Sequence, residues 1–91
     1  MTNTDNQLII YGAERCHKCV FYKQYLTDKG LKPQFLDVEE NEGHAEALRA
    51  LYTTGKLNFP TLLVGGKKLR NPATSLLDKW LVKKGFVEAI T

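Results

Sequence analysis

The sequence predicts a single α/β domain in which three helices flank a mixed four-stranded sheet, in the order β-α-β-α-β-β-α. Short apolar, β-rich runs alternate with longer stretches of helical spacing, which is typical of strands joined by crossover helices. Two strands joined by a helix imply a parallel pair with a right-handed crossover. The last two strands are separated only by Gly65-Gly66, a two-residue turn that predicts an antiparallel hairpin.

Each element follows from a local pattern, with glycine or proline marking its ends. The strands are expected over residues 7–11, 34–38, 59–64 and 67–70, and the helices over 16–29, from the acidic stretch 39–42 to Gly55, and over 74–84. The apolar faces expected to pack inward are Val20, Tyr22 or Lys23, and Leu26 in the first helix, Ala45, Leu48, Ala50, Leu51 and Tyr52 in the second, and Leu76, Leu77, Trp80 and Leu81 in the third.

Length and composition are those of one small domain. The chain has 91 residues, of which 43% are hydrophobic, enough for a single compact core. We expect a flexible N-terminus over residues 1–6 and a single domain over 7–91, acting as a monomer.

Charge and hydropathy narrow the expected partners and compartment. The formal net charge is +3 and the lysines are scattered, so nucleic-acid binding is not expected. No apolar run approaches the roughly 20 residues that cross a membrane, and the polar start lacks the features of a secretory signal. We therefore expect a cytoplasmic protein that does not bind membranes.

The chemistry is expected at Cys16 and Cys19, the two cysteines of the chain, which are spaced C-x-x-C between the first strand and the first helix. At a helix start, unpaired N–H groups and the positive end of the dipole stabilise a thiolate, which is the nucleophilic form of cysteine. The second cysteine lies on the same side of the first turn, where it can resolve a mixed disulfide. Arg15, His17 and Lys18 add positive charge, and Glu14 opposes them.

Two other interpretations of the cysteines remain. A C-x-x-C pair can be half of a zinc site, but structural zinc usually takes four protein ligands, and only His17 and His44 accompany these cysteines. We predict no metal site, while a metal- or iron–sulfur-binding redox sensor or carrier remains the alternative function. Two inert buried cysteines are the other interpretation, and the polar neighbours of the pair disfavour it.

From about Leu8 to Lys84 the chain resembles a glutaredoxin of the thioredoxin superfamily. The C-x-x-C follows a strand ending in Tyr11-Gly12, the second strand carries Phe-Leu-Asp-Val at 35–38, and residues 55–61 read Gly-Lys-Leu-Asn-Phe-Pro-Thr. The resemblance implies a thioredoxin-like fold. It also implies that Pro60 is cis and faces the cysteines, and that the backbone of Phe59 pairs with a bound thiol substrate.

The same resemblance implies a thiol–disulfide oxidoreductase with Cys16 as nucleophile and Cys19 as resolving thiol. Its partners would be a disulfide-containing protein and, as reductant, either glutathione or a flavoprotein resembling thioredoxin reductase. No tightly bound cofactor is implied, and glutathione would be a co-substrate. The residues expected to contact glutathione or substrate are Arg15, His17, Lys56, Phe59, Pro60 and Thr74.

The chain also departs from the family pattern. His17-Lys18 stands where the family usually has Pro-Tyr, and residues 70–75, Arg-Asn-Pro-Ala-Thr-Ser, replace a glycine-rich turn that binds glutathione. Weak glutathione binding is therefore expected. Thr74 is also a candidate for the N-cap of the third helix.

Overall fold

The computed structural model describes residues 7–87, so the expected flexible N-terminus, 1–6, and the chain end, 88–91, lie outside the described residues. The elements occur in the expected order. They are β1 (Leu8–Gly12), α1 (His17–Asp28), β2 (Gln34–Asp37), α2 (Glu42–Arg49), β3 (Thr61–Val64), β4 (Lys67–Arg70) and α3 (Thr74–Lys83).

The four strands form one mixed sheet in the order β2-β1-β3-β4. The first strand is central, because it pairs in parallel with β2 and antiparallel with β3, so that Ile10 lies opposite both Phe35 and Leu62. The hairpin between β3 and β4 is antiparallel, as expected. Its two turn residues, Gly65 and Gly66, have φ of 57° and 88°, the positive values that a type I′ turn requires at both positions.

Side chains alternate across β1 and divide the core into two layers. Leu8 and Ile10 face α1 and α3, whereas Ile9 and Tyr11 face α2. The helix residues in the first layer are Tyr22, Leu26, Leu77 and Leu81, and those in the second are Ala45 and Leu48. Helices therefore cover both faces of the sheet, which keeps the edge at the end of β1 fixed from either side.

Three residues expected on the inward faces of the helices lie outside the core: Ala50, which follows the end of α2, and the two helix residues Val20 and Leu76. Val20 is 46% exposed and Leu76 is 40% exposed, so both expectations were wrong. In each case the neighbouring residue, Cys19 or Leu77, is fully buried instead. Successive residues of a helix point about 100° apart, so an error of one position moves a side chain from the core to solvent.

Several boundaries also differ from expectation. The second helix ends at Arg49, and Ala50 is its exposed C-cap, although helix was expected to continue to Gly55. β3 begins at Thr61 and not at Phe59, since Pro60 has no N–H to donate to a neighbouring strand. Ala73, not Thr74, is the N-cap of α3, and no side chain caps that helix.

Candidate active site

One edge of the sheet gathers the ends of all four strands. β1, β2 and β4 end there and β3 begins there, because Tyr11 pairs with Thr61 and Thr61 with Arg70. Directly beyond this pairing, the N–H of Asn71 donates to the carbonyl oxygen of Pro60 at 3.0 Å. The first helix starts at the same edge, so the C-x-x-C motif and the proline loop meet there.

Cys16 is the N-cap of α1. Its backbone is extended, with φ −87° and ψ 113°, and its Sγ accepts a hydrogen bond from the N–H of Cys19 at 3.3 Å. An N-cap side chain ordinarily uses oxygen to satisfy one unpaired N–H of the first turn, and here a half-buried sulfur does so. The Cys16 sulfur therefore lies at the start of α1, against the first N–H groups of the helix.

Cys19 is a free thiol with no exposed surface. It packs on the end of β1, where a Cβ added to Gly12 would stand 2.5 Å from its Sγ. Burial first, and then a hydrogen bond to Cys16, raise the pKa of the Cys19 thiol to about 12, although the Ala13 backbone N–H acts in the opposite direction. Any larger residue than glycine at position 12 would displace this sulfur.

The positive charge expected from Arg15 is paired with a carboxylate. Its Nε donates to Glu39 Oε1 at 2.7 Å and Oε2 at 3.0 Å, and its Nη2 donates to Oε2 at 2.5 Å. The guanidinium lowers the pKa of the Glu39 carboxyl through this hydrogen bonding. His17 and Lys18 are exposed in the first turn of α1. We expected positive charge from Arg15, His17 and Lys18 around Cys16, but Glu39 neutralises that of Arg15.

Asp37, at the end of β2, fixes the acidic turn against the cysteine loop. Its Oδ1 accepts from the N–H groups of Glu39 at 2.8 Å and Glu40 at 3.0 Å, and its Oδ2 accepts from the N–H of Glu14 at 3.3 Å. The sequence analysis missed this role. An aspartate just after a strand is a recognised signal for side-chain capping of a turn, so the sequence did contain a clue.

The peptide bond between Phe59 and Pro60 is cis, as the family resemblance implies. Pro60 is buried, and Phe59 is half-buried and packs against the α2 layer. The next residue, Thr61, is fully buried, and its hydroxyl pairs with that of Tyr52 at 2.7 Å and donates to the carbonyl of Asn58. This loop is therefore held from both sides at the edge where Cys16 lies.

Lys56 and Thr74 are the expected site residues that the structure leaves apart from the cysteines. Both are exposed, Lys56 in the segment before the proline loop and Thr74 as the first residue of α3. Within residues 7–87, neither side chain forms an ion pair or hydrogen bond with another residue. Both side chains are therefore exposed to solvent.

Tyr22 is a further residue of the site that the sequence analysis assigned only to the core. Its hydroxyl lies 3.2 Å from Asn71 Oδ1 and donates to the carbonyl oxygen of Pro72 at 2.5 Å. Asn71 has φ 47°, a left-handed conformation that asparagine adopts more readily than most residues. The contact ties α1, one turn beyond Cys19, to the segment that leads into α3.

Two other kinds of feature are absent from the described residues. No three His, Cys, Asp or Glu side chains within 7–87 are grouped so that they could hold a metal ion. Over the same residues, no helix has the length and hydropathy needed to span a membrane.

Comparisons with solved structures establish the fold. The thioredoxin-like protein BC3987 superposes with a TM-score of 0.70 at 21% identity, over 82% of this chain and 100% of that one. A glutaredoxin from Archaeoglobus fulgidus gives 0.68 at 15% identity, over 82% and 85%. Buckwheat glutaredoxin, solved as a complex with glutathione, gives 0.67 at 22% identity, over 89% and 77%. The fold is thioredoxin-like, as the sequence predicts.

Comparison of the sequence itself gives the family. No curated protein sequence matches the chain. The family model described as Glutaredoxin matches residues 8–69, which include the C-x-x-C motif and the cis proline. Family and fold together support a thiol–disulfide redox function. The chain belongs to the glutaredoxin family.

Proposed function

We propose that the chain is a dithiol–disulfide oxidoreductase in which Cys16 is the nucleophile and Cys19 the resolving thiol. The observation that carries this proposal is the contrast between the two sulfurs. Cys16 Sγ is half-buried at the positive end of α1 and accepts an N–H bond, whereas Cys19 Sγ is fully buried beside it. A substrate can therefore reach the Cys16 sulfur, whereas the buried Cys19 sulfur can react only with Cys16.

In the first step the Cys16 thiolate attacks a substrate disulfide. A bond forms between Cys16 Sγ and one substrate sulfur, the substrate S–S bond breaks, and the other sulfur leaves as a thiolate that takes a proton from solvent. The N–H of Cys19 and the dipole of α1 stabilise the attacking thiolate before the bond forms.

In the second step Cys19 attacks Cys16 Sγ. Cys19 gives up its proton to solvent, the Cys16–Cys19 disulfide forms, the mixed disulfide bond breaks, and the substrate sulfur leaves as a thiolate that takes a proton from solvent, so two electrons have passed to the substrate. The negative charge and hydrogen bond of Cys16 help to raise the pKa of Cys19, and both are lost once Cys16 is in a mixed disulfide. The Ala13 N–H, which favours the Cys19 thiolate, remains. Cys19 is thus activated when its attack is needed.

The oxidised protein must then be reduced, by glutathione or by a flavoprotein reductase. For glutathione, Lys56 supplies a cation that can pair with a carboxylate, and the Phe59 backbone supplies a hydrogen-bond donor and an acceptor. Thr74 is the first residue of α3, whose first N–H groups are not capped by any side chain. Pro72 lacks an N–H, and its carbonyl is already bonded to Tyr22. We therefore infer weak glutathione binding.

The substrate class and compartment follow from the same features. An exposed edge with one accessible sulfur suits a disulfide on the surface of another protein, met by the chain as a monomer. A single C-x-x-C pair is typical of a redox motif working in a reducing compartment, and we infer the cytoplasm.

Two single variants test the proposal. Cys19→Ser should form a stable mixed disulfide with a disulfide substrate, because no second thiol resolves it, and mass spectrometry should show one bound thiol per chain. Cys16→Ser should form none and should not reduce the substrate. Disulfide reduction by Cys16→Ser, or failure of Cys19→Ser to trap substrate, would contradict the assignment.

A further inference from the structure

The Arg15–Glu39 ion pair lies immediately beside the nucleophile. Arg15 precedes Cys16 in the chain, and three N–H···O contacts of 2.5–3.0 Å join its guanidinium to both oxygens of Glu39. The backbone of Glu39 is held in place, because its N–H donates to Asp37 Oδ1 at 2.8 Å. The carboxylate therefore stands in a fixed turn, whereas the Arg15 side chain is 78% exposed.

We propose that Glu39 is a specificity-determining residue that withholds the Arg15 guanidinium from anionic substrates. A carboxylate is bound best when two N–H groups of one guanidinium donate to its two oxygens. On Arg15, those N–H groups already donate to Glu39. An anionic disulfide approaching Cys16 must displace Glu39 or forgo that contact, whereas an uncharged or cationic disulfide loses nothing. The site thereby favours target disulfides without carboxylates beside the reacting sulfur. The inference rests on the proposed disulfide reduction.

The neighbouring glutamate provides a matched control. Glu40 lies in the same acidic turn, and its N–H also donates to Asp37 Oδ1, at 3.0 Å. In the described structure, the Glu40 side chain forms no ion pair, so it adds the same negative charge without holding Arg15. A specific effect must appear on removing the charge of Glu39 and not on removing that of Glu40.

The experiment compares oxidation of the reduced protein by two disulfides. Glutathione disulfide is the anionic probe, and bis(2-hydroxyethyl) disulfide is the uncharged one. Loss of the two free thiols is followed at increasing disulfide concentration, which separates the half-saturating concentration from the limiting rate. The proteins are wild type, Glu39→Gln, Glu40→Gln, Arg15→Gln and the double variant Arg15→Gln with Glu39→Gln, each checked for an unchanged thermal midpoint.

For Glu39→Gln, the half-saturating concentration of glutathione disulfide, relative to that of the uncharged disulfide, should fall about threefold, the scale of one exposed ion pair. The limiting rate should not change. Glu40→Gln should keep the wild-type ratio, and the double variant should lose the gain because Arg15 is absent.

Each other outcome has a defined meaning. An equal fall in the relative half-saturating concentration of glutathione disulfide in Glu39→Gln and Glu40→Gln would show a general charge effect and overturn the inference. A fall that persists in the double variant would overturn it as well. If both disulfides oxidise the wild-type protein but no variant changes the ratio of their half-saturating concentrations, the inference is wrong and the proposed function is not contradicted. If wild type reduces neither disulfide, the proposed function itself is wrong.

Discussion

Replacing Cys16 by serine leaves Cys19 as the single thiol of the chain, and that thiol should resist alkylation. Cys19 has no exposed surface, and burial is the largest cause of the rise of its pKa to about 12. Alkylating reagents react with the thiolate, so both inaccessibility and protonation slow the reaction. The perturbation isolates these two effects from the reactivity of Cys16.

The magnitude follows from the ionisation. With a pKa of about 12, roughly one Cys19 thiol in ten thousand is ionised at pH 8, against about one in four for an ordinary cysteine. That difference alone slows alkylation by about 2,000-fold. The serine variant removes the contribution of Cys16 to the raised pKa, so the expected slowing is smaller, at least about a hundredfold.

Iodoacetamide labelling followed by intact-protein mass spectrometry measures the rate. Cys16→Ser should label at least a hundred times more slowly than free cysteine at the same pH, and Cys19→Ser, which keeps only Cys16, should label much faster. In concentrated urea the two variants should react alike. Labelling of folded Cys16→Ser at the rate of free cysteine would refute the reasoning, because Cys19 would then be neither shielded nor held protonated.

Three further predictions concern stability and the reductant. The free energy of unfolding should fall as pH rises from 9 to 12, by at most about 1.4 kcal/mol per pH unit from Cys19, because an unfolded cysteine releases its proton near pH ~8.5 and folded Cys19 releases it near 12. Cys19→Ala should show a shallower fall in urea titrations. Leu26→Ala should cost about 2–5 kcal/mol in urea unfolding, since Leu26 is fully buried, whereas exposed Val20→Ala should stay within about 0.5 kcal/mol. Lys56→Ala should raise the KM for glutathione about twofold to fivefold in a coupled assay; turnover like that of a standard glutaredoxin, unaffected by this change, would contradict weak glutathione binding.

Features set by adjacent residues could be predicted from the sequence. Gly65 and Gly66 both adopt positive φ, so a two-glycine sequence between the two expected strands was sufficient to place the hairpin. Cys16 lies at the start of α1, as expected, because the start of a helix depends on the few residues around it, although its role as the N-cap was not foreseen. The cis bond at Pro60 followed from the family resemblance, since an isolated proline at a strand start has no such implication.

Features that join distant segments could not be predicted. Arg15 meets Glu39 across 24 residues, and Tyr22 meets Pro72 across 50, so both contacts depend on the folded arrangement of several elements. The exposed position of Val20 has a different cause. Cys19 and Val20 are adjacent and both apolar, so helical spacing alone does not decide which of them faces the core.

The central place of β1 has a consequence for synthesis of the chain. Both cysteines leave the ribosome early, whereas β3, which begins at Thr61 and pairs with β1 along its length, is made more than forty residues later. Until then Ile10 has only one of its two strand neighbours, and the core layer between the sheet and α1 is incomplete. The layer that packs α1, and with it both cysteines, against the sheet is therefore completed only after the β3–β4 hairpin and α3 have been made.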